Sequence, residues 1–469
     1  MFEKLFSKKI LSSLAKEEQV KKPEQILGYF VGPCMVYMIY SGVAGTYLTQ
    51  FYTDVLGISG IFLTLMPLLS KLLSGIIGIF LGRLIDKTNT PQGKARPWIL
   101  CSGILITVCG FLLYAVPNAS YPVQIAWVII SYNLFFSIGF SIYSLSHSLM
   151  VPLSTRDTKQ RDSLAMTTSM ATSLIPGTLS TVIMPILVKH MGVGEAARGP
   201  WLTVMSLLSL IAIPAVIIEY YFTIERVTKE KTQVETISFR QQTHACFHDK
   251  YWVAIMAFVF IMFLCSGLTT NSMLYYCNWV LADSVSAGAS KQILVNVIGQ
   301  MPMGIGIFAL WPLVRRFGKK KVSIIGFFMA AAGCVIILFG SSNMAVVLGG
   351  LIVKSTGSLP TYLTSSYIAE ALDHVEAKNG FRVDGFSASV NSIGQTTVMG
   401  LAQTILLFGI NYLGYIAPDD VSQVITQSGL VKGFFSLCFV GIPLAGYIIS
   451  AVIIMIFGGL EKKVPEEAA

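Results

Sequence analysis

Between Arg96 and Arg156 the chain runs for 59 residues without a single Asp, Glu, Lys or Arg. Backbone in a bilayer must satisfy its own hydrogen bonds, so an apolar run of this kind is housed in lipid as helix. A hydrocarbon core of about 30 Å takes about 20 residues of helix, so the run is too long for one crossing and suits two. The hinge is Pro117-Asn118-Ala119-Ser120-Tyr121-Pro122. Its Asn118-Ala119-Ser120 matches a glycosylation sequon, but a tight turn between two spans accounts for it. Tyr251–Ala282 and Gly385–Pro418 are likewise uncharged. With 54% hydrophobic and 12% charged residues in 469, most of the chain has lipid as its solvent.

Apolar runs between charged breaks predict spans near 27–52, 59–85, 97–116, 122–150, 163–188 and 200–222, then 251–281, 292–314, 322–340, 344–369, 385–416 and 431–459. Assigning the N-terminus and every second loop to the cytoplasm places 27 of the 33 Lys and Arg there, which fixes the orientation by the positive-inside rule. The net charge of +9 is thereby explained by topology, and no nucleic-acid partner is needed. The first 26 residues hold six lysines and no long apolar core, which excludes a cleaved signal peptide. They read as a basic segment on the inner leaflet, with Phe2, Leu5, Phe6, Ile10 and Leu14 as its lipid-facing stripe. Eight scattered cysteines without CxxC spacing suggest neither a disulfide framework nor a metal site.

Phe51–Gly57, "FYTDVLG", recurs weakly as Tyr275–Ala282, "YYCNWVLA", and the second and eighth spans leave through similar basic turns, Gly82–Lys87 and Arg315–Lys321. The expected fold is an all-α membrane protein of twelve transmembrane helices in two pseudo-symmetric six-helix bundles, 27–222 and 251–460. A cytoplasmic N-terminal segment (1–26), linker (223–250) and tail (461–469) complete it. Parallel six-helix repeats describe the major-facilitator architecture, whose substrate sites lie near the midplane.

Four stretches carry a closer resemblance: "FYTDVLGIS" from Phe51, "GKARPW" from Gly93, "VPLSTRDTKQRDSL" from Val151 and "AEALDHVEAKNGFRVDG" from Ala369. Together they resemble the glycoside-pentoside-hexuronide:cation symporters, the melibiose permease-like family of the major facilitator superfamily, almost end to end. The resemblance implies alternating access, usually with Na+, Li+ or H+ carried alongside the substrate. It also sets Ser74 and Gly78 where that family has cation-binding aspartates, Ser144 in place of another functional aspartate, Ser148 in place of a sugar-stacking tryptophan and Thr396 in place of a lysine. The first-span aspartate near Pro33 is missing too. These departures favour uniport, proton symport or exchange over sodium symport. No cofactor or metal is implied, and H+ is favoured over Na+.

Deep in the spans the sequence places two ionisable residues, Lys71 and Lys354, roughly 18 and 15 Å below the outer surface at about 1.5 Å per residue. Charge at that depth costs about 2.5–3.5 kcal/mol on insertion scales, so such lysines face a cavity and find a partner. Glu219 is expected toward the inner end of its span, away from that depth. Either the ammoniums meet an anionic substrate group, or Lys71 bonds helix carbonyls or stands in for the missing cation. Lys71, Ser74 and Gly78 share one helical face, as do Lys354, Gly357, Ser358, Thr361 and Ser365. Ser74, Gly78 and Gly82 also read as a close-packing seam.

Ser169 and its neighbours in the fifth span and Asn391, Gln395 and Thr396 in the eleventh suit a polyhydroxy substrate, although such groups also join helices. Tyr37, Tyr40, Tyr275 and Tyr276 offer apolar faces. His147, beside Ser144 and Ser148, is a candidate proton carrier or a structural histidine, since an imidazole in water titrates near about 6.5. Asp86, Asp157, Arg161, Glu370, Asp373 and Arg382 are candidates for gating salt bridges between the halves, and exposed pairs worth about 0–1 kcal/mol break readily. No nucleophile with a nearby base, HExxH or phosphate loop is present, so an enzyme is not expected. The reading is a monomeric plasma-membrane carrier of an anionic sugar derivative, with both termini cytoplasmic. The alternatives are a carrier of amphipathic anions such as lysolipids or steroid acids, and a transporter-derived sensor.

Overall fold

The computed structural model describes residues 13–15, 19–58, 61–155, 157–227, 239–340, 343–381 and 383–458. Of the predicted lipid-facing N-terminal stripe, only Leu14 falls within them, and it is exposed. The long helices are α1 (Glu24–Val55), α2 (Ile61–Lys87), α3 (Arg96–Tyr114), α4 (Tyr121–Ser154), α5 (Ser163–Met191) and α6 (Glu195–Tyr221). They continue as α7 (Lys250–Trp279), α8 (Val285–Phe317), α9 (Lys319–Phe339), α10 (Met344–Asn379), α11 (Asp384–Tyr412) and α12 (Gly429–Phe457). Among the described residues eleven helices are long and apolar enough to cross a membrane, and the 33-residue α8 stands at the eighth predicted position.

On α2 the residues Ile61, Leu65, Leu69, Leu72, Ile76, Phe80 and Leu84 are all exposed, at the three- and four-residue steps of one helical face. A stripe of large apolar side chains at that spacing is what a helix presents to acyl chains. The opposite face carries the buried Met66, Ser70 and Ser74.

The chain divides into two compact units, one built from the chain up to Ile58 with Leu69–Thr232 and Ala417–Val421, the other from Ser59–Leu68, Gln233–Ile416 and the chain from Ser422. In the first, the loop before α3 is shaped by Gly93 at φ +106°, a left-handed conformation that side chains resist. This turn aims the N–H groups of Lys94, Ala95 and Arg96 at the carboxylate of Glu225, at 2.8–3.1 Å. The anion at a helix N-terminus offsets its orphan donors and dipole. Arg96 in turn donates to the Tyr220 carbonyl and lies over the Tyr220 ring, while Arg226 forms a two-pronged pair with Glu24. The start of the predicted linker is therefore fastened to the helices, which gives the Gly-Lys-Ala-Arg motif a structural role.

In the second unit α9 and α10 make the closest approach. A Cβ on Gly333 would stand 2.3 Å from the Lys354 backbone nitrogen, and one on Gly357 2.2 Å from that of Ala330. Glycines on both helices thus let the backbones touch, as in small-residue packing in membranes. A predicted seam along Ser74, Gly78 and Gly82 does not form: among the described residues neither glycine has a neighbour within 4 Å of its Cβ position. The acidic segment after Ala369, beyond the predicted span 344–369, continues α10 to Asn379. It is stopped by Gly380 in the left-handed region, since Glu, Ala, Leu and Lys favour helix.

Candidate functional site

Lys71 lies in the middle of α2 and is half-buried. Its ammonium donates to the Tyr40 hydroxyl at 3.4 Å and sits 4.2 Å from the centre of the Phe136 ring. Among the described residues it has no carboxylate partner. Phe136 belongs to a π-helical turn of α4, Leu134–Gly139. Such a turn inserts one extra residue and re-aims side chains, a device frequent at functional sites. The same turn aims Ser137, which bonds Ser74 at 2.7 Å.

Around this cation the first unit gathers aromatic faces. Tyr40 stacks on Phe140 at 3.9 Å, and Tyr37 meets the edges of Phe140, Tyr143 and His147 at 5.3–6.3 Å. The Tyr37 and Ser144 hydroxyls lie 3.4 Å apart. Lys71, Tyr37, Ser144 and His147 are thus linked through direct contacts and shared aromatic neighbours, while Ser74 is held by Ser137. Ser148 is exposed and bonds the Leu145 carbonyl, and Ser169 is exposed and bonds that of Ala165, so each is tied to its own helix.

Glu219 is the residue the sequence reading set aside. It is fully buried, accepts from the Tyr143 hydroxyl at 2.6 Å and contacts His147 Nδ1 at 2.7 Å. Tyr143 and His147 lie one helical turn apart on α4, while Glu219 comes from α6. The available signal was a single carboxylate inside the apolar run Ile217-Ile218-Glu219-Tyr220-Tyr221, because intramembrane charge calls for a partner.

In the second unit Lys354 is 6% exposed. It donates to the Phe439 carbonyl at 3.2 Å and to Thr269 at 3.4 Å, and lies 5.0 Å from the Phe439 ring centre. Phe439 also sits in a π-helical turn, Leu437–Gly441 of α12. On α11 Gln395 donates to Asn391 at 2.9 Å and Thr396 to the Ser392 carbonyl. Of the gating candidates, Glu370 is ion-paired with Lys319 of its own unit. Asp157 and Asp373 are exposed and have further interactions. The side chains of Asp86 and Arg161, and all of Arg382, lie outside the described residues. Those residues hold no metal-ligating cluster.

A family model described as MFS/sugar transport protein matches residues 28–458. The chain belongs to this family. It is a membrane transporter of sugar-like substrates, and the expected glycoside-pentoside-hexuronide symporter resemblance agrees with its relatives. It is 25% identical to the isoprimeverose transporter of Lactiplantibacillus pentosus over 88% of this chain and 84% of the relative. It is 22% identical to the glucuronide carrier protein homolog of Escherichia coli (strain K12), over 88% and 90%. Among solved structures, a bacterial homologue of the human lysosomal transporter Spinster aligns with TM-score 0.64 at 12% identity, over 95% of this chain and 99% of that one. The nucleoside transporter NupG aligns at 0.56 and 13%, over 93% and 98%. At these identities the structures speak to the fold, a major-facilitator arrangement of helices. As a multi-pass member of this family, the transporter is no enzyme.

Proposed function

We propose that this transporter moves a sugar derivative bearing a carboxylate or other anionic group across the cytoplasmic membrane by alternating access, and that Lys71 receives that group. The observation that carries the reading is a half-buried ammonium in mid-helix whose neighbours are a phenol and an aromatic ring. A lysine has three donors, and one phenol oxygen leaves two for a ligand. The surrounding rings of Tyr37, Tyr40 and Phe140 offer flat apolar surfaces against which a pyranose packs, and Ser144 offers a hydroxyl partner. The relative named as a glucuronide carrier homologue supports an anionic sugar. Lys354, with two acceptors and a ring, is read as the brace of the α12 turn.

Uptake of methyl β-glucuronide and methyl β-glucoside into proteoliposomes tests this. The wild type should favour the glucuronide, and Lys71→Gln should remove the preference by lowering glucuronide uptake at least tenfold. Equal uptake of both sugars, unaffected by Lys71→Gln, would restore ordinary glycoside transport.

A second reading, an amphipathic anion as substrate, draws on a cleft of about 200 Å³ lined by Met35, Met38, Ile39, Met184, Leu208 and neighbours. Its one polar side chain, Ser180, donates to the Met38 carbonyl. That lining suits an acyl tail and offers a sugar almost nothing.

A further inference from the structure

His147 and Glu219 make a buried acid–base pair that the sugar site itself does not require. His147 is 2% and Glu219 0% exposed, and His147 Nε2 is enclosed with no hydrogen-bond partner among the described residues. Both carboxylate oxygens of Glu219 are engaged, by Tyr143 and by His147 Nδ1.

The ionisable groups that interact with Glu219 are Tyr29 and Tyr37 from α1 and Tyr143 from α4, with Cys34 of α1 beside Tyr143. All are neutral at ordinary pH. Two arginines of this unit are engaged elsewhere: Arg96 of α3 holds Gln92 and the Tyr220 carbonyl, and Arg226 holds Glu24. Suppose Nδ1 donates to an ionised Glu219 and Nε2 is bare. The pair then carries a net charge of −1 in an apolar setting, which is costly. One proton on Nε2 gives an imidazolium–carboxylate pair of zero net charge. Moving the shared proton onto Glu219 gives a neutral acid and neutral imidazole with the same number of protons. Both of these forms carry the added proton at Nε2, so the bare Nε2 of the first form is the one vacant proton position.

We infer that His147 and Glu219 form a proton-binding site, loaded and emptied at His147 Nε2, that couples a proton to sugar movement. The coupling clause rests on the transport reading above; proton binding does not. The proton comes from water, joins the Nε2 lone pair and returns to water, and no other bond changes. Its link to the sugar site is short: the His147 ring lies 6.3 Å from that of Tyr37, whose hydroxyl contacts Ser144. A charge appearing on His147 therefore acts on groups proposed to meet the sugar.

The test is pH-difference infrared spectroscopy of the full chain in lipid, with isotope-labelled histidine and no sugar present. The wild type should show a pH-dependent histidine component that reports proton uptake on His147. His147→Gln should erase that component, and His374→Gln, which alters the separate His374–Asp249 pair, should leave it. Glu219→Gln, which still accepts from Tyr143, should change the pH dependence of that component because the neighbouring carboxylate is gone. This variant decides the matter if His147→Gln does not fold. A His147→Gln spectrum superimposable on the wild type, or an unshifted Glu219→Gln transition, overturns proton binding. In proteoliposomes an inward proton gradient should raise methyl β-glucuronide accumulation in the wild type and not in His147→Gln; equal stimulation in both overturns the coupling. Absence of the infrared signal in the wild type with glucuronide uptake intact refutes this site alone, whereas a wild-type signal without sugar uptake refutes the sugar reading alone.

Discussion

The two intramembrane lysines are built alike and left in different states. Each ammonium lies near an aromatic ring presented by a π-helical turn, Phe136 for Lys71 and Phe439 for Lys354. Lys354 is almost fully enclosed and also holds a backbone carbonyl and a hydroxyl. Lys71 is half-buried and holds one phenol. A committed charge is a structural strut, whereas one with spare donors is prepared for a ligand. Their acceptors tell them apart.

The largest effect expected from this difference concerns ligand binding. Lys71→Gln should weaken methyl β-glucuronide binding by about 10- to 150-fold, the worth of a charged hydrogen bond at about 1.5–3 kcal/mol, while Lys354→Gln should change it far less. Calorimetric titration reads this, and equal losses in both variants would erase the distinction. Next comes stability. Lys354→Met leaves the Phe439 carbonyl only the Thr269 hydroxyl at 3.5 Å, and losing a hydrogen bond from a charged donor costs about 1.5–3 kcal/mol, visible as a lower melting temperature. Gly333→Ala should destabilise by a similar amount, about 1–3 kcal/mol, because its methyl would press on the Lys354 backbone and force α9 away. The smallest is Phe136→Leu, which removes a cation–π contact worth about 0.5–2 kcal/mol. It should show as weaker retention of the Lys71 geometry, and hence weaker glucuronide binding, with little change in melting temperature.

Much of this was legible in the sequence because lipid imposes a simple rule on charge. The approximate positions of the spans follow from apolar runs, and the neighbouring places of Ser144 and His147 follow from their shared helix. What escaped the sequence depended on contacts between distant segments. Glu219 meets His147 across 72 residues, and nothing local to "IIEYY" names its partner. Phe136 and Phe439 reach the lysines only because one extra residue widens each helix, and no residue in Leu134–Gly139 or Leu437–Gly441 announces such a turn. The Glu225 contact with the start of α3 was hidden for the same reason, although Gly93 and the Gly-Lys-Ala-Arg sequence hinted at a special loop.

The most direct test is the melting temperature of purified wild type, Lys71→Gln and Lys354→Gln, each without and with saturating methyl β-glucuronide. The account predicts that Lys71→Gln melts near the wild type and gains nothing from the sugar, whereas Lys354→Gln melts lower and still gains. The reverse pattern, in which Lys354→Gln alone loses the response to the sugar while Lys71→Gln loses stability, would contradict it.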